Sequence, residues 1–286
     1  MPKLPEESIQ PVDKETSLPL KWHGGKQYLA DKIIAMFPPH LHYVEPYFGG
    51  GAVLFRKPCE GVSEVVNDLN KDLANFWSTL WRPEAYFKLI RLCEATPFDE
   101  NAWNRSNEIL ESSDTVTDPV LRAWAFFIKF RQSRQGLGKG FATITRNRIR
   151  RGMNEQVSSW LSAIEGLPEC HARLKRVLIL NHRAIDVIKE QDGPNTLFYL
   201  DPPYLQDTRT AKWSFGDYEM SFGDHVELLN LLMTIKGKFL LSGYHSDCYD
   251  SWADRNQFSC EEIKIPNNAS GSKEKRIMTE CIWKNF

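Results

Sequence analysis

Asp201-Pro202-Pro203-Tyr204 sets a carboxylate, two prolines and an aromatic ring in four consecutive positions. Each proline fixes its φ near about −65° and has no N–H to donate, so this corner is stiff. The Asp201 carboxylate, the Pro202 carbonyl and the Tyr204 ring can then be held in one geometry. Two acceptors and a flat ring suit a planar group bearing an NH2, and a nucleobase with an exocyclic amine is such a group. Three upstream stretches carry complementary chemistry. Lys21-Trp22-His23-Gly24-Gly25-Lys26 combines a flat face, a glycine turn open to close approach and a cation. Glu45-Pro46-Tyr47-Phe48-Gly49-Gly50-Gly51 is an acid followed by a glycine turn, and Asn67-Asp68 closes an apolar run with a second acid.

The elements that must position these groups follow from patterning. Thr196 to Leu200 is uncharged, aliphatic, aromatic and β-branched, as suits a strand covered on both faces of a parallel sheet. Prolines cannot join the ladder, so the strand stops at Asp201 and leaves its carboxylate at the carboxyl end, the edge where open α/β sheets bind ligands. His42 to Val44 reads as another strand, followed by the Gly49 turn and a helix from Ala52. A strand over Glu64 to Asp68 and a helix over Lys71 to Leu80 come next. This is the βα pattern of a nucleotide-binding sheet, in which an acid after the second strand holds ribose hydroxyls. It has neither the GxGxxG of dinucleotide enzymes nor the GK[ST] of a P-loop, which leaves another adenosine-bearing ligand as the better fit.

The flanking segments are plainer. Tyr28 to Met36 is an amphipathic helix stopped by Pro38-Pro39, and Met1 to Leu20 is a proline-containing, flexible or surface-bound leader. Arg176 to Leu180 reads as a strand and Ala184 to Lys189 as a short helix. Leu205 to Glu219 is a polar and aromatic loop that could close over a substrate. Asp224 caps a helix to Ile235, Gly237 ends it, and Lys238 to Ser242 is a strand leading into Gly243-Tyr244-His245-Ser246. Phe258 to Ile265 and Met278 to Trp283 are closing strands joined by an Asn267 to Arg276 loop.

From Arg82 to His171 helical pieces replace strands, so the expected organisation is a leader (1–20), an α/β domain in two parts (21–81 and 172–286) and a mainly helical insert (82–171). Within the insert, Leu121 to Phe130 is an apolar core helix. It leads into Lys129, Arg131, Arg134, Lys139, Arg146, Arg148, Arg150 and Arg151, with no Asp or Glu between Asp118 and Glu155. Broken by Gly136, Gly138 and Gly140 and interleaved with Phe141 and Thr143, that run suits a loop or hairpin along phosphates; a solvated basic face is the alternative. Plainer roles also exist for the acids and rings: a strand-end turn for Asp201, a helix cap for Asp68, core packing for Tyr204 and Trp22.

With 286 residues the chain can bury a sizeable core as one large or two smaller units, and its net charge of −1 favours no partner class. Its six cysteines are scattered without CxxC pairing, and no signal peptide or membrane-spanning run is visible, which points to a reduced intracellular compartment with free, buried thiols. His40-Leu41-His42 lies too far from the cysteines for a zinc site, so no metal is expected.

On these motifs and their order the chain resembles the Dam-type (alpha-class) DNA adenine N6-methyltransferases over nearly its whole length. The resemblance implies a Rossmann-like methyltransferase sheet with helices on both faces and an inserted target-recognition domain. It implies S-adenosyl-L-methionine held by Trp22, Gly24, Gly25, Lys26, Glu45, Pro46, Phe48, Gly49, Gly51, Asp68 and Asp201. Catalysis falls to Asp201, Pro202, Pro203 and Tyr204, and contact with double-stranded DNA to Arg131, Arg134, Lys139, Arg146, Arg148, Arg150 and Arg151. A monomer or weak dimer in the cytoplasm of a bacterial or phage-infected cell is expected, with the target adenine flipped out of the duplex. His23 and Tyr47 depart from the family's usual small residue and Phe, and the insert lacks the arginine and asparagine pattern of GATC readers. A cytosine N4-methyltransferase, in which Ser is commoner at position 201, an RNA or protein amide methyltransferase, and a non-catalytic DNA-binding module are the rival readings.

Overall fold

The computed structural model describes residues 18–22, 24–112, 118–142, 146–209, 216–266 and 277–286. Most of the expected leader, His23, Thr143, the middle of the 205–219 loop and the 267–276 loop lie outside them. In chain order the helix α1 (Ala30–Ala35) precedes β1 (His42–Glu45) and β2 (Ser63–Asn67), and the helices α2 (Lys71–Trp81), α3 (Pro83–Glu94), α4 (Glu100–Glu111) and α5 (Pro119–Arg131) follow. A two-stranded hairpin, β3 (Ile149–Arg150) with β4 (Met153–Asn154), leads to α6 (Glu155–Glu165) and α7 (Leu167–Leu174). Then come β5 (Val177–Leu180), α8 (Ala184–Gln191), β6 (Thr196–Leu200), α9 (Phe222–Leu232), β7 (Lys238–Gly243), α10 (Asp247–Asn256), β8 (Ser259–Pro266) and β9 (Ile277–Lys284).

Seven strands form one sheet in the order β5-β2-β1-β6-β7-β9-β8, parallel except where β9 runs antiparallel between β7 and β8. β1 and β6 are neighbours, with Tyr43 opposite Leu197 and Val44 opposite Phe198. From β1 the chain continues outward to β2, and from β6 it continues to β7 in the opposite direction. This reversal of strand order opens a crevice at the carboxyl ends, the usual ligand site of such sheets. β6 is buried throughout because its residues alternate between two cores: Leu197 and Tyr199 pack on one face, Phe198 and Leu200 on the other. The expected two-sided α/β sheet is thus present.

One face is covered by α8, α9 and α10 through Ile185, Leu228 and Trp252. The other carries α1 and α2 together with the insert. Phe76 and Trp77 of α2 and Phe126, Phe127 and Ile128 of α5 belong to the same buried cluster as Tyr43 and Leu197 of the sheet. Phe76 and Phe127 stack at 5.7 Å with their planes 9° apart. The insert therefore has no core separate from the sheet's, and its last helix, α7, runs past the expected boundary at 171 to Leu174.

Three local expectations and one omission need correction. No helix forms after the Gly49 turn: residues 52–56 are successive turns, because Pro58 disfavours helical backbone in the residue before it and stops propagation. The cap of α9 is Ser221, whose hydroxyl accepts from the Asp224 N–H while the Asp224 carboxylate accepts from the Ser221 N–H, and α9 ends at Leu232. α10 went unrecognised, since only Tyr249, Trp252 and Ala253 of its ten residues are buried. Arg131 is not on a surface. It is buried at the end of α5, where Nη2 donates to the Ser159 carbonyl, and the reason is that α5 turns this side chain inward toward α6.

Candidate active site

The fixed corner after β6 sets the site. Asp201 is the first residue beyond the ladder, Pro202 is buried, and Pro203 and Tyr204 are half-buried. Both oxygens of the Asp201 carboxylate accept from Lys26 Nζ, at 2.7 and 2.9 Å, across 175 residues of sequence. Lys26 also donates to the Gly24 carbonyl at 3.1 Å, which folds the Gly24-Gly25 turn around its own ammonium. Glu280 of β9 lies 3.5 Å from the same nitrogen, and the Tyr204 hydroxyl donates to Glu280 Oε1. Tyr244, following β7, meets Tyr204 edge-on at 4.8 Å between ring centroids. Burial alone would lower the Lys26 pKa, but Asp201 and Glu280 outweigh it and hold the ammonium above its ordinary range. Burial raises the Glu280 pKa, opposed by Lys26 and reinforced by Asp201. Burial also raises the Tyr204 pKa, so its phenol keeps its proton and remains a donor.

The glycine turn after β1 stands beside this cluster. Its Gly49 peptide is clamped on both sides: the N–H donates to Asp68 Oδ2 at 2.9 Å, and the carbonyl accepts from Trp77 Nε1 at 3.1 Å. Asp68 Oδ1 accepts the Asn70 N–H, while Asn70 itself caps α2, so Asp68 is not that cap. Burial pushes the Asp68 carboxyl up to about 6 against the lowering effect of its two N–H donors. Asn67 donates to the Pro46 carbonyl at 3.0 Å and fixes the start of the turn. Trp22 lies directly on the glycines. A Cβ at Gly50 would stand 2.7 Å from the Trp22 Cβ, and one at Gly49, whose φ is +50°, would stand 2.9 Å from the indole nitrogen. The other neighbours of that indole are Phe130 at 5.1 Å and Phe126 at 6.1 Å. Trp22 therefore packs as a wall between the turn and α5 rather than as an open platform. Phe48 is buried against Phe55 and Trp77 under the turn. What the turn and Asp68 offer together, a half-buried carboxylate beside backbone that can be approached closely, fits the hydroxyls and ring of an adenosine.

Glu45 ends β1 on the same sheet face as Tyr43, whose hydroxyl donates to it at 2.6 Å. Glu45 is 2% exposed, and burial pushes its carboxyl up to about 8, with Tyr43 and Lys57 opposing. Because the folded value lies above the ordinary one, the favourable contribution of the neutral form is complete below about 4.5 and is lost as pH rises through about 8. We predict that Glu45→Gln, which stays neutral, flattens this trend: its urea midpoint relative to the unmodified chain improves between pH 5 and pH 8. Parallel pH dependences of the two proteins would refute the assignment.

On the insert the basic residues separate into distinct classes. Arg134, Lys139, Arg146, Arg148 and Arg150 are exposed, the last two on or beside the β3–β4 hairpin. Arg151 is exposed too, yet its guanidinium is held by Glu165 at 2.9 Å and by the Ser162 hydroxyl. Arg148 faces Glu155 at 3.6 Å. Sequence reasoning missed Glu280; its signal was a single acid inside the otherwise uncharged Met278 to Trp283 run. No helix among the described residues is long and apolar enough to cross a membrane, and among them no three His, Cys, Asp or Glu side chains cluster in a metal-holding arrangement.

The family model for D12 class N6 adenine-specific DNA methyltransferases matches residues 22–267. A DNA N-6-adenine-methyltransferase of Escherichia phage P1 is 26% identical over 233 residues, 79% of this chain but only 29% of that longer protein. Type II methyltransferase M1.LlaDCHI of Lactococcus lactis subsp. cremoris is 25% identical over 93% of this chain and 94% of its own length. Type II methyltransferase M.MjaIII of Methanocaldococcus jannaschii is 23% identical over 93% of this chain and 98% of its own.

Proposed function

This chain belongs to the D12 class of N6 adenine-specific DNA methyltransferases, enzymes that methylate adenine in DNA, and we propose that it does so with S-adenosylmethionine at the crevice between β1 and β6. The observation that carries this reading is the meeting, at one sheet edge, of the Gly49 turn and Asp68 with the Asp201 to Tyr204 corner. The turn, Asp68 and the buried Glu45 would hold the donor; when bound, it supplies a methyl group on a sulfonium sulfur and leaves as the thioether. The chain's own task concerns the nucleophile. The N6 lone pair is delocalised into the purine, so the amine must be oriented before it can attack. Asp201 accepts one N–H and the Pro202 carbonyl the other, which aims the lone pair and stabilises the positive charge that develops on nitrogen as the new N–C bond forms. Fixed proline backbone means little reorganisation during the step. Tyr204 stacks on the flipped base, and the extra N6 proton is lost after transfer, through Asp201 to solvent.

The test is incubation with labelled donor and adenine-rich duplex, followed by nucleoside analysis. Label in N6-methyl-2′-deoxyadenosine is expected; label only in cytosine, or only in RNA, would overturn the reading. We further propose that the exposed arginines of the insert contact phosphates of double-stranded DNA, supported by the exposure of Arg150 on the β3–β4 hairpin and of Arg148 beside it. Log affinity then falls with log salt at a slope of about −0.9 per phosphate neutralised. Arg150→Ala is expected to weaken binding and to make that slope shallower by about 0.9. Arg131→Ala should instead lower stability and leave the slope alone. Equal slopes for Arg150→Ala and the unmodified chain would remove the hairpin from the DNA surface. A cytoplasmic location follows if chromosomal or phage DNA is the substrate.

A further inference from the structure

The mechanism requires the Asp201 carboxylate to accept an amine N–H, yet both of its oxygens are engaged by Lys26 Nζ at 2.7 and 2.9 Å. A carboxylate has about four lone-pair sites, but an ammonium bridging both oxygens draws them toward itself and away from a substrate amine that needs one of them. Lys26 is 8% exposed and cannot simply swing into water. A second carboxylate within reach can take it up. Glu280 is the described side chain placed to do this, 3.5 Å from Nζ and 3% exposed. It comes from the antiparallel strand β9, outside the glycine turn and the proline corner.

Glu280 has a second connection to the chemistry. Its Oε1 accepts the Tyr204 hydroxyl, so one carboxylate touches both the ring proposed to stack on the base and the cation that bridges Asp201. A carboxylate buried to this degree is costly unless it is paired and hydrogen-bonded. Nothing about closing the sheet calls for an acid here, because the neighbouring Cys281, Ile282 and Trp283 are fully buried apolar groups.

We propose that Glu280 is a positioning residue for methyl transfer: it anchors the Tyr204 ring through the phenol and receives the Lys26 ammonium as the adenine amine takes Asp201. The step is an exchange of partners and leaves the count of charges unchanged. Lys26 passes from one carboxylate to another, and Asp201 becomes an acceptor without either buried charge being left alone. Side chains in one such network are energetically coupled, so their substitutions should not act additively.

This inference rests on the proposed role of Asp201, and the test separates the two. Single-turnover rates, DNA KM and donor Kd would be measured for the unmodified chain, Glu280→Gln, Glu280→Asp and the double variant Lys26→Met with Glu280→Gln. Glu280→Gln keeps an acceptor for Tyr204 but no longer attracts the ammonium, and its transfer rate is expected to fall about 10²-fold with donor Kd little changed. Glu280→Asp restores the charge and should recover most of the rate. Removing the cation should rescue: measured at saturating donor, so that any loss of donor affinity from Lys26→Met does not enter, the double variant is expected to be about tenfold faster than Glu280→Gln alone. A Glu280→Gln rate within about threefold of the unmodified chain, or losses that simply multiply in the double variant, would overturn the inference while leaving adenine methylation intact. If Glu280→Gln does not fold, as judged by circular dichroism, the Glu280→Asp comparison decides: an unrescued, folded Asp variant also counts against it. An unmodified chain that methylates no adenine would instead remove the reading on which the inference stands.

Discussion

Asp201→Ala is expected to lower methyl transfer by at least about 10³-fold, because it removes the acceptor proposed to orient the amine and to stabilise the charge forming on it. Donor binding should largely persist. The reason is structural: Lys26 keeps Glu280 and the Gly24 carbonyl as partners, and the Gly49 turn is held by Asp68 and Trp77 rather than by Asp201. Asp201→Asn retains one acceptor oxygen but loses the charge, and should fall between the two. Stopped single-turnover transfer with donor affinity by calorimetry distinguishes the steps. Loss of donor binding with residual turnover would contradict the role assigned to this carboxylate.

Glu64→Gln is expected to be the most damaging substitution for stability. Glu64 is fully buried near the start of β2, where Oε1 accepts from Lys57 Nζ at 2.7 Å and from Arg173 Nη2 at 2.7 Å, while Oε2 accepts from Arg173 Nη1 at 2.6 Å. Lys57 is also buried, and burial lowers its pKa. Removing the acid leaves that ammonium without its counter-charge, a change that costs about 3–5 kcal/mol in buried pairs. Because Glu64 lies at the end of the sheet opposite the crevice, the fraction that remains folded should transfer methyl at an unchanged rate. Urea unfolding gives the first quantity and active-site-normalised turnover the second; an unchanged unfolding midpoint would show that the trio contributes nothing net.

The parts of this site that were legible in the sequence are those in which chemistry and punctuation fall together. Pro202 and Pro203 had to end β6, so Asp201 had to stand at a carboxyl edge, and it does. Likewise the glycines after His42–Glu45 and the acid after Ser63–Asn67 mark the ends of β1 and β2. What could not be read are contacts that only tertiary structure makes. Lys26 and Asp201 meet across 175 residues. Glu280 enters the site because β9 runs antiparallel beside β7, with Cys281 opposite Gly243. Arg131 belongs to the same charge run as the surface arginines, but such a run records composition and not direction, and the helix it ends turns it inward. The helix expected after Gly51 failed for a local reason, the proline seven residues on, and α10 was hidden by polar residues around its narrow buried stripe.

The packing of α5 bears on how such an enzyme can be re-engineered. Since Phe126, Phe127 and Ile128 complete the same core as Phe76 and Trp77, excising residues 82–171 would expose one whole side of α2 to water instead of releasing a smaller catalytic unit. Transplanting a different recognition segment would meet the same obstacle at Trp22, whose indole is fitted to Phe130 on one side and to Gly49 and Gly50 on the other. A graft that changes target preference must therefore keep α5 and its seat on α2, and confine its exchange to the hairpin and the exposed arginines around it.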